Sequence, residues 1–247
     1  MSVAWIKADW PAPSNVHAGT TLRQGGVSRN SFASLNLGEH VSDDQAAVIE
    51  NRRRFADECA LPSAPLWLCQ THSINVAANV PPRPDTGTDA IVTRASNSVC
   101  AVLTADCLPV VFAALDGSEV AVAHAGWRGL CNGILEAAVA AMQTSPGETL
   151  VWLGPAIAQP AFEVGIEVRE QFIARQPDSA THFVENARGR FQADLYGLAR
   201  QRLAALGIHA VNGGNHCTFT EAEDFYSYRR DGQCGRMATF IYRSEMA

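Results

Sequence analysis

The sequence predicts a mixed α/β or α+β fold rather than a strict alternation of strands and helices. Three observations carry that prediction. Short apolar runs of strand length recur along the chain, amphipathic stretches of helical spacing separate only some of them, and Asp116-Gly117 joins two runs directly, as a hairpin turn does. Several runs are apolar throughout instead of alternating, which predicts sheets covered on both faces.

A first helix is expected from about Ser42. Ser42 is the capping candidate, Asp43 and Asp44 favour a helix N-terminus, and Gln45 completes a capping box. Val48, Ile49, Phe55, Ala56 and Cys59 then form an apolar face, and Pro62 marks the end. Strands are expected over residues 66–69 and 74–80, followed by a proline-rich loop over 81–85 that is too short to separate domains. Further strands are expected over 90–93, 99–104, 109–115 and 119–124. A second helix is expected over 132–143, a strand over 150–153, a third helix over 167–175, and a fourth over 195–206 with Gly207 as its stop. Strands over 208–211 and 238–242 complete the pattern.

The 247 residues suit one large domain or two intimately packed halves. Hydrophobic residues at 47% and charged residues at 18% argue for a packed core and against disorder. A formal net charge of -6, with no basic run longer than Arg52-Arg53-Arg54, argues against nucleic acid as a partner. No cationic start followed by an apolar run opens the chain, and no run of about 18 apolar residues occurs in it, so neither a secretory signal nor a membrane span is expected. The seven cysteines are odd in number and none is spaced Cys-x-x-Cys, which favours reduced thiols in a cytoplasmic protein over a disulfide framework or zinc ribbon.

Three places interrupt the apolar pattern with chemistry-bearing residues. Thr104-Ala105-Asp106-Cys107-Leu108-Pro109 breaks two strand-like runs and presents a cysteine beside an aspartate. His124-Ala125-Gly126-Trp127-Arg128-Gly129 follows a strand and precedes a helix; its small residues let backbone approach a ligand, and amides at a helix start favour an anion. Gln70-Thr71-His72-Ser73 lies between two strand candidates. Two histidines and one cysteine match a catalytic zinc site with three protein ligands and one open position. The same residues match a metal-free pair in which Cys107 is nucleophile and His124 its base. Two further clusters, the glycine-rich segment from Arg23 to Gly38 and the run from Tyr226 to Gly232 with Arg236 beyond, offer donors for a phosphate or carboxylate.

In combination these segments resemble the YfiH-like family, whose members are described as laccase-domain or polyphenol oxidase proteins, purine nucleoside phosphorylases and peptidoglycan editing factors. The resemblance is carried by Arg23 to Ser28 with Ser34 to Gly38, Gln70 to His72, Thr88-Asp89-Ala90, Thr104 to Pro109, His124 to Gly129, Gly154-Pro155-Ala156-Ile157, Phe162-Glu163-Val164-Gly165, and Phe225 to Gly235. It implies a layered α/β/β/α sandwich with mixed sheets, one domain of two related halves over 1–247. It also implies a metal site at His72, Cys107 and His124, with zinc as the usual ion and copper as the less favoured one. Catalytic candidates are then Cys107, His124, His72 and Asp106; substrate-binding candidates are Arg23, Asn36, Gln70, Asp89, Arg128 and Arg229. The implied activity is phosphorolysis of adenosine, inosine, guanosine and methylthioadenosine, together with deamination of adenosine. The expected partners are therefore a nucleoside and phosphate. One position departs from the family pattern: glycine usually follows Gly-Pro-x-Ile, whereas this chain has Ala158. A glycine-only backbone angle there would strain an alanine or shift the loop.

Three functions follow in order of preference: a zinc-dependent purine nucleoside enzyme, a Cys–His amide hydrolase that edits cell-wall precursors, and a non-catalytic metal-binding protein. A multicopper polyphenol oxidase is disfavoured, because such clusters use several His-x-His pairs and none of the seven histidines forms one.

Overall fold

The protein is described by a computed structural model covering residues 2–80, 82 and 86–245. The loop expected over 81–85 lies, apart from Pro82, outside the described residues. The strands are β1 (Trp5–Lys7), β2 (Val16–Thr21), β3 (Leu66–Trp67), β4 (Val76–Ala78), β5 (Ala90–Thr93), β6 (Cys100–Thr104) and β7 (Leu108–Ala114). They continue with β8 (Val120–Ala125), β9 (Thr149–Leu153), β10 (Glu163–Val164), β11 (Phe183–Glu185), β12 (Phe191–Ala193), β13 (Val211–Gly213) and β14 (Met237–Arg243). The α-helices are α1 (Gln45–Glu58), α2 (Trp127–Asn132), α3 (Ile134–Ala141), α4 (Ile166–Arg175), α5 (Leu195–Ala205) and α6 (Tyr228–Asp231).

Two large mixed sheets form, in the orders β1-β2-β14-β6-β3 and β13-β9-β7-β8-β5-β4, with a small third sheet β10-β12-β11. Side-chain alternation along each strand assembles the layers. Val102, Cys100 and Ile241 of the first sheet meet Ile91, Val111, Val122 and Trp152 of the second in one buried cluster. The outward neighbours Ala90, Val92, Val110, Phe112 and Ala123 pack instead against Leu135, Ala138, Phe172 and Leu198 of the helices α3, α4 and α5. On the far side, Ala101, Leu103 and Phe240 pack against Phe55 of α1 and against Leu35 and Leu37. The layering is thus α/β/β/α, and because every large sheet face is covered, the apolar strands carry no solvent face.

Three local expectations are corrected. Helix α1 is capped by Asp44, whose carboxylate accepts from the amides of Ala46 (2.7 Å) and Ala47 (3.2 Å). Ser42 lies outside the helix with φ 66°. The helix expected over 132–143 is α3, and an unexpected short helix, α2, precedes it across Gly133, whose φ of 108° suits glycine and breaks the ladder. The strand expected over 208–211 begins at Val211, where parallel pairing with Val151 of β9 sets the register.

Ala158 has φ -81° and ψ 160°, an ordinary extended conformation, so no strain attends alanine there.

Candidate active site

The chain passes from one large sheet to the other across Ala105, Asp106 and Cys107, since β6 lies in the first sheet and β7 in the second. Cys107 therefore sits at a layer crossing, immediately before Leu108, which pairs with Ala125. His124 is the penultimate residue of β8, directly opposite Pro109, so the antiparallel pairing of β7 and β8 brings Cys107 and His124 to one end of the sheet. His72 reaches the same end from the loop between β3 and β4.

The three side chains meet. Their ligand atoms all lie within 4.8 Å of one another, and the Sγ of Cys107 lies 3.7 Å from Nε2 of His72. The two imidazoles meet edge to face with centroids 4.8 Å apart. His124 is 3% exposed, whereas His72 and Cys107 are partly accessible, so the cluster opens on one side. Gly126 is what allows this approach. A Cβ there would lie 2.6 Å from Cδ2 of His72 and 2.9 Å from Sγ of Cys107.

Asp89 organises the site from beneath. One carboxylate oxygen accepts from Nδ1 of His124 at 2.8 Å and from the amide of His72 at 3.0 Å; the other accepts from the amides of Thr71 and Ser73 and from the Ser73 hydroxyl. These bonds hold His72 in the left-handed region, at φ 61°, which a non-glycine residue adopts only when its surroundings enforce it. They also leave Nε2 of His124 facing the cluster, the arrangement in which a carboxylate orients a metal-binding histidine. Burial alone would raise the Asp89 pKa, but the bonds from His124 and Ser73 outweigh it and hold the carboxyl at about 2. Burial likewise opposes charge on Cys107 and His124. Their mutual attraction, with help from His72 on the thiol and Asp89 on the imidazole, outweighs it, lowering the Cys107 pKa and raising that of His124.

The other candidates divide by what they touch. Gln70 makes a reciprocal pair with the backbone of Leu103 (2.7 and 2.8 Å), fixing the His72 loop to β6. Asp106, at φ 91°, accepts from the Thr218 hydroxyl with one oxygen and from the Arg229 amide with the other, each at 2.7 Å. Arg23 gives its guanidinium to the carbonyls of Ala33 and Ala222. Asn36 is fully buried and bonds Gly38, Asp43 and the amide of Arg236. Arg128 is exposed over the ring of Trp127, and Arg229 is exposed over Phe162 while donating to the carbonyl of Glu163. Thr218 was not singled out from sequence. Its only signal was its place beside Cys217, far along the chain from the Asp106 it anchors.

A family profile described as multi-copper polyphenol oxidoreductase laccase matches residues 17–244. The chain belongs to this laccase-domain, YfiH-like family. It is 47% identical over 239 residues to a purine nucleoside phosphorylase of Haemophilus influenzae, covering 96% of this chain and 98% of the relative. It is 49% identical to the Pseudomonas aeruginosa purine nucleoside phosphorylase PA4543, covering 97% and 98% respectively. Among solved structures, the Neisseria meningitidis protein NMB0706 superposes with a TM-score of 0.92 at 46% identity, covering 98% of this chain and 99% of that one. The Bacillus licheniformis protein YfiH superposes with a TM-score of 0.86 at 32% identity, over 93% of each chain. The family description mentions several coppers, yet among the described residues one His/Cys cluster alone has the closeness a metal needs. No described helix is long and apolar enough to cross a membrane.

Proposed function

We propose that this chain is a purine nucleoside phosphorylase, with the substrates adenosine, inosine, guanosine and methylthioadenosine, and that it also deaminates adenosine. The observation that carries the reading is the gathering of His72, Cys107 and His124 at a layer crossing, in a chain nearly half identical to proteins that bear the phosphorylase name. The trio fits zinc: two imidazoles and a thiol with lowered pKa are its preferred donors, and Asp89 already directs Nε2 of His124 inward. A zinc ion held there supplies a Lewis acid and lowers the pKa of water.

In phosphorolysis a phosphate oxygen bonds to C1′ of the ribose while the C1′–N bond breaks. Its electron pair passes to the purine, which takes up a proton. The chain's contribution is to orient and desolvate. Asp89 fixes the His124 ring and the His72 loop together, so both side chains keep one geometry. Asp106 positions the neighbouring Cys107 and ties α6 to it through the Arg229 amide. Both Asp106 oxygens accept a bond, which suits it to positioning.

The test is a product assay on metal-quantified protein supplied with adenosine and phosphate, following adenine, inosine and hypoxanthine. Wild type should yield product, and Cys107→Ala should lose both metal and product. Absence of product from adenosine, inosine and methylthioadenosine with zinc-loaded wild type would sink the reading.

One geometric observation favours a second reading. The line from Asp89 through His124 to Cys107 is also that of an activated thiol nucleophile. An amide hydrolase acting on cell-wall precursors would keep its activity in chelators and lose it to a thiol alkylator.

A further inference from the structure

Phosphorolysis requires a seat for a phosphate dianion; of the arginines near the site, Arg128 and Arg229 are exposed over Trp127 and Phe162, and two others are already committed. Arg23 serves two carbonyls, and Arg230 serves the carbonyls of Thr218, Phe219 and Phe225 and the carboxylate of Asp231. Arg236 differs. Its amide donates to Asn36 at 2.9 Å, and its Nη1 donates to the carbonyls of Cys234 (2.8 Å) and Gly235 (2.9 Å), which fixes the guanidinium in place. Among the described residues its Nε and Nη2 have no hydrogen-bond partner. Gly38 makes room for the arm, since a Cβ there would lie 2.8 Å from Cγ of Arg236.

Arg236 lines a cavity of about 310 Å³ together with His40, Tyr228 and Gln233. Two of its lining residues connect the cavity to the metal-ligand trio. Tyr228 is followed by Arg229, whose amide holds Asp106 beside Cys107. His40 lies within electrostatic reach of His124, as well as of Arg236 and Arg52. A fixed planar guanidinium with two open donors, next to an imidazole, matches an oxyanion, and fixing the donors beforehand reduces the ordering cost of binding.

We propose that Arg236 and His40 bind the phosphate cosubstrate in this cavity. The assignment rests on the phosphorolytic reading. The shared chemistry is a phosphate group, either free phosphate or the ester of a nucleotide, and we assign the free ion.

The experiment is phosphate titration at saturating nucleoside, on folded and metal-quantified protein. Arg236→Met should raise the phosphate KM roughly tenfold or more and move the nucleoside KM less than about twofold, as loss of a charge-assisted bond to one substrate predicts. His40→Asn should raise the phosphate KM roughly threefold or more, and it carries the test if Arg236→Met does not fold. Arg94→Met, at the opposite end of β5, is the control and should change neither value. An unchanged phosphate KM in folded Arg236→Met overturns the assignment. Calorimetry with inorganic phosphate and with adenosine 5′-monophosphate separates the two sources. If Arg236→Met weakens only the nucleotide, the cavity holds an ester and the assignment fails. If wild type turns over no nucleoside, the phosphorolytic reading fails separately, and calorimetry still decides the site. Phosphate bound by wild type and lost in Arg236→Met supports it, whereas no phosphate binding removes it.

Discussion

At the scale of single residues, the site depends on a missing side chain as much as on those present. Gly126 lies so close to His72 and Cys107 that a methyl group would displace both. Gly126→Ala should therefore lower metal affinity by about tenfold or more, the range seen when groups that orient metal ligands are disturbed, with the fold retained. Dialysis against a competing chelator followed by metal analysis checks this; unchanged affinity would mean that the trio tolerates displacement. Asp89 makes a different, pH-dependent contribution. Its carboxyl is held at about 2, below the ordinary value near 4, so the charged form is favoured in the folded protein. The stability it contributes, on the order of 2 to 3 kcal/mol, is complete above about pH 4 and is lost as the pH falls toward 2. In metal-stripped protein, the stability gap between wild type and Asp89→Asn should narrow over that window. A gap that stays constant in urea titrations from pH 4 to 2 would contradict the Asp89 account.

At the scale of elements, α1 tests how caps are chosen. Asp44 holds two helix amides and Ser42 holds none, so Asp44→Ala should cost about 1 kcal/mol and Ser42→Ala should cost little, measured by urea unfolding. Ser42 is the cap expected from sequence, but its left-handed backbone angle leaves it outside the helix, and Asp44 takes the role. Strand β5 was readable to the residue, because Asp89 and Arg94 bracket an unbroken apolar run. Strand β2 was not. His17, Gly19 and two threonines disguise it, and they are tolerated inside because Thr20 bonds Thr239 at 2.7 Å and Gly19 clears the ring of Trp5. The short strands β10, β11 and β12 sit among glutamate, glutamine and arginine residues and gave no period to detect. In the site, the trio was legible because its residues interrupt apolar strands at their ends. Arg236 was legible as an oxyanion donor, but its meeting with His40 near the cluster was not, since that proximity arises from long-range folding alone.

At the scale of the whole molecule, two covered sheets do more than bury apolar area. Strands β6 and β7 are consecutive in sequence yet lie in different layers, and the residues between them carry Cys107. The pairing of β7 with β8 then fixes where His124 falls, and the loop before β4 brings in His72, so three distant segments meet without a local motif. The central claim is that this meeting point is a zinc centre for nucleoside chemistry. Its most direct test is to strip the protein of metal, confirm the removal by elemental analysis, and titrate zinc back while following release of purine base from a nucleoside in phosphate. The account predicts no turnover in stripped protein and recovery that saturates at about one zinc per chain, the stoichiometry of a single three-ligand site. Turnover that survives complete stripping would contradict it and would favour the thiol–imidazole chemistry of Cys107 and His124 instead.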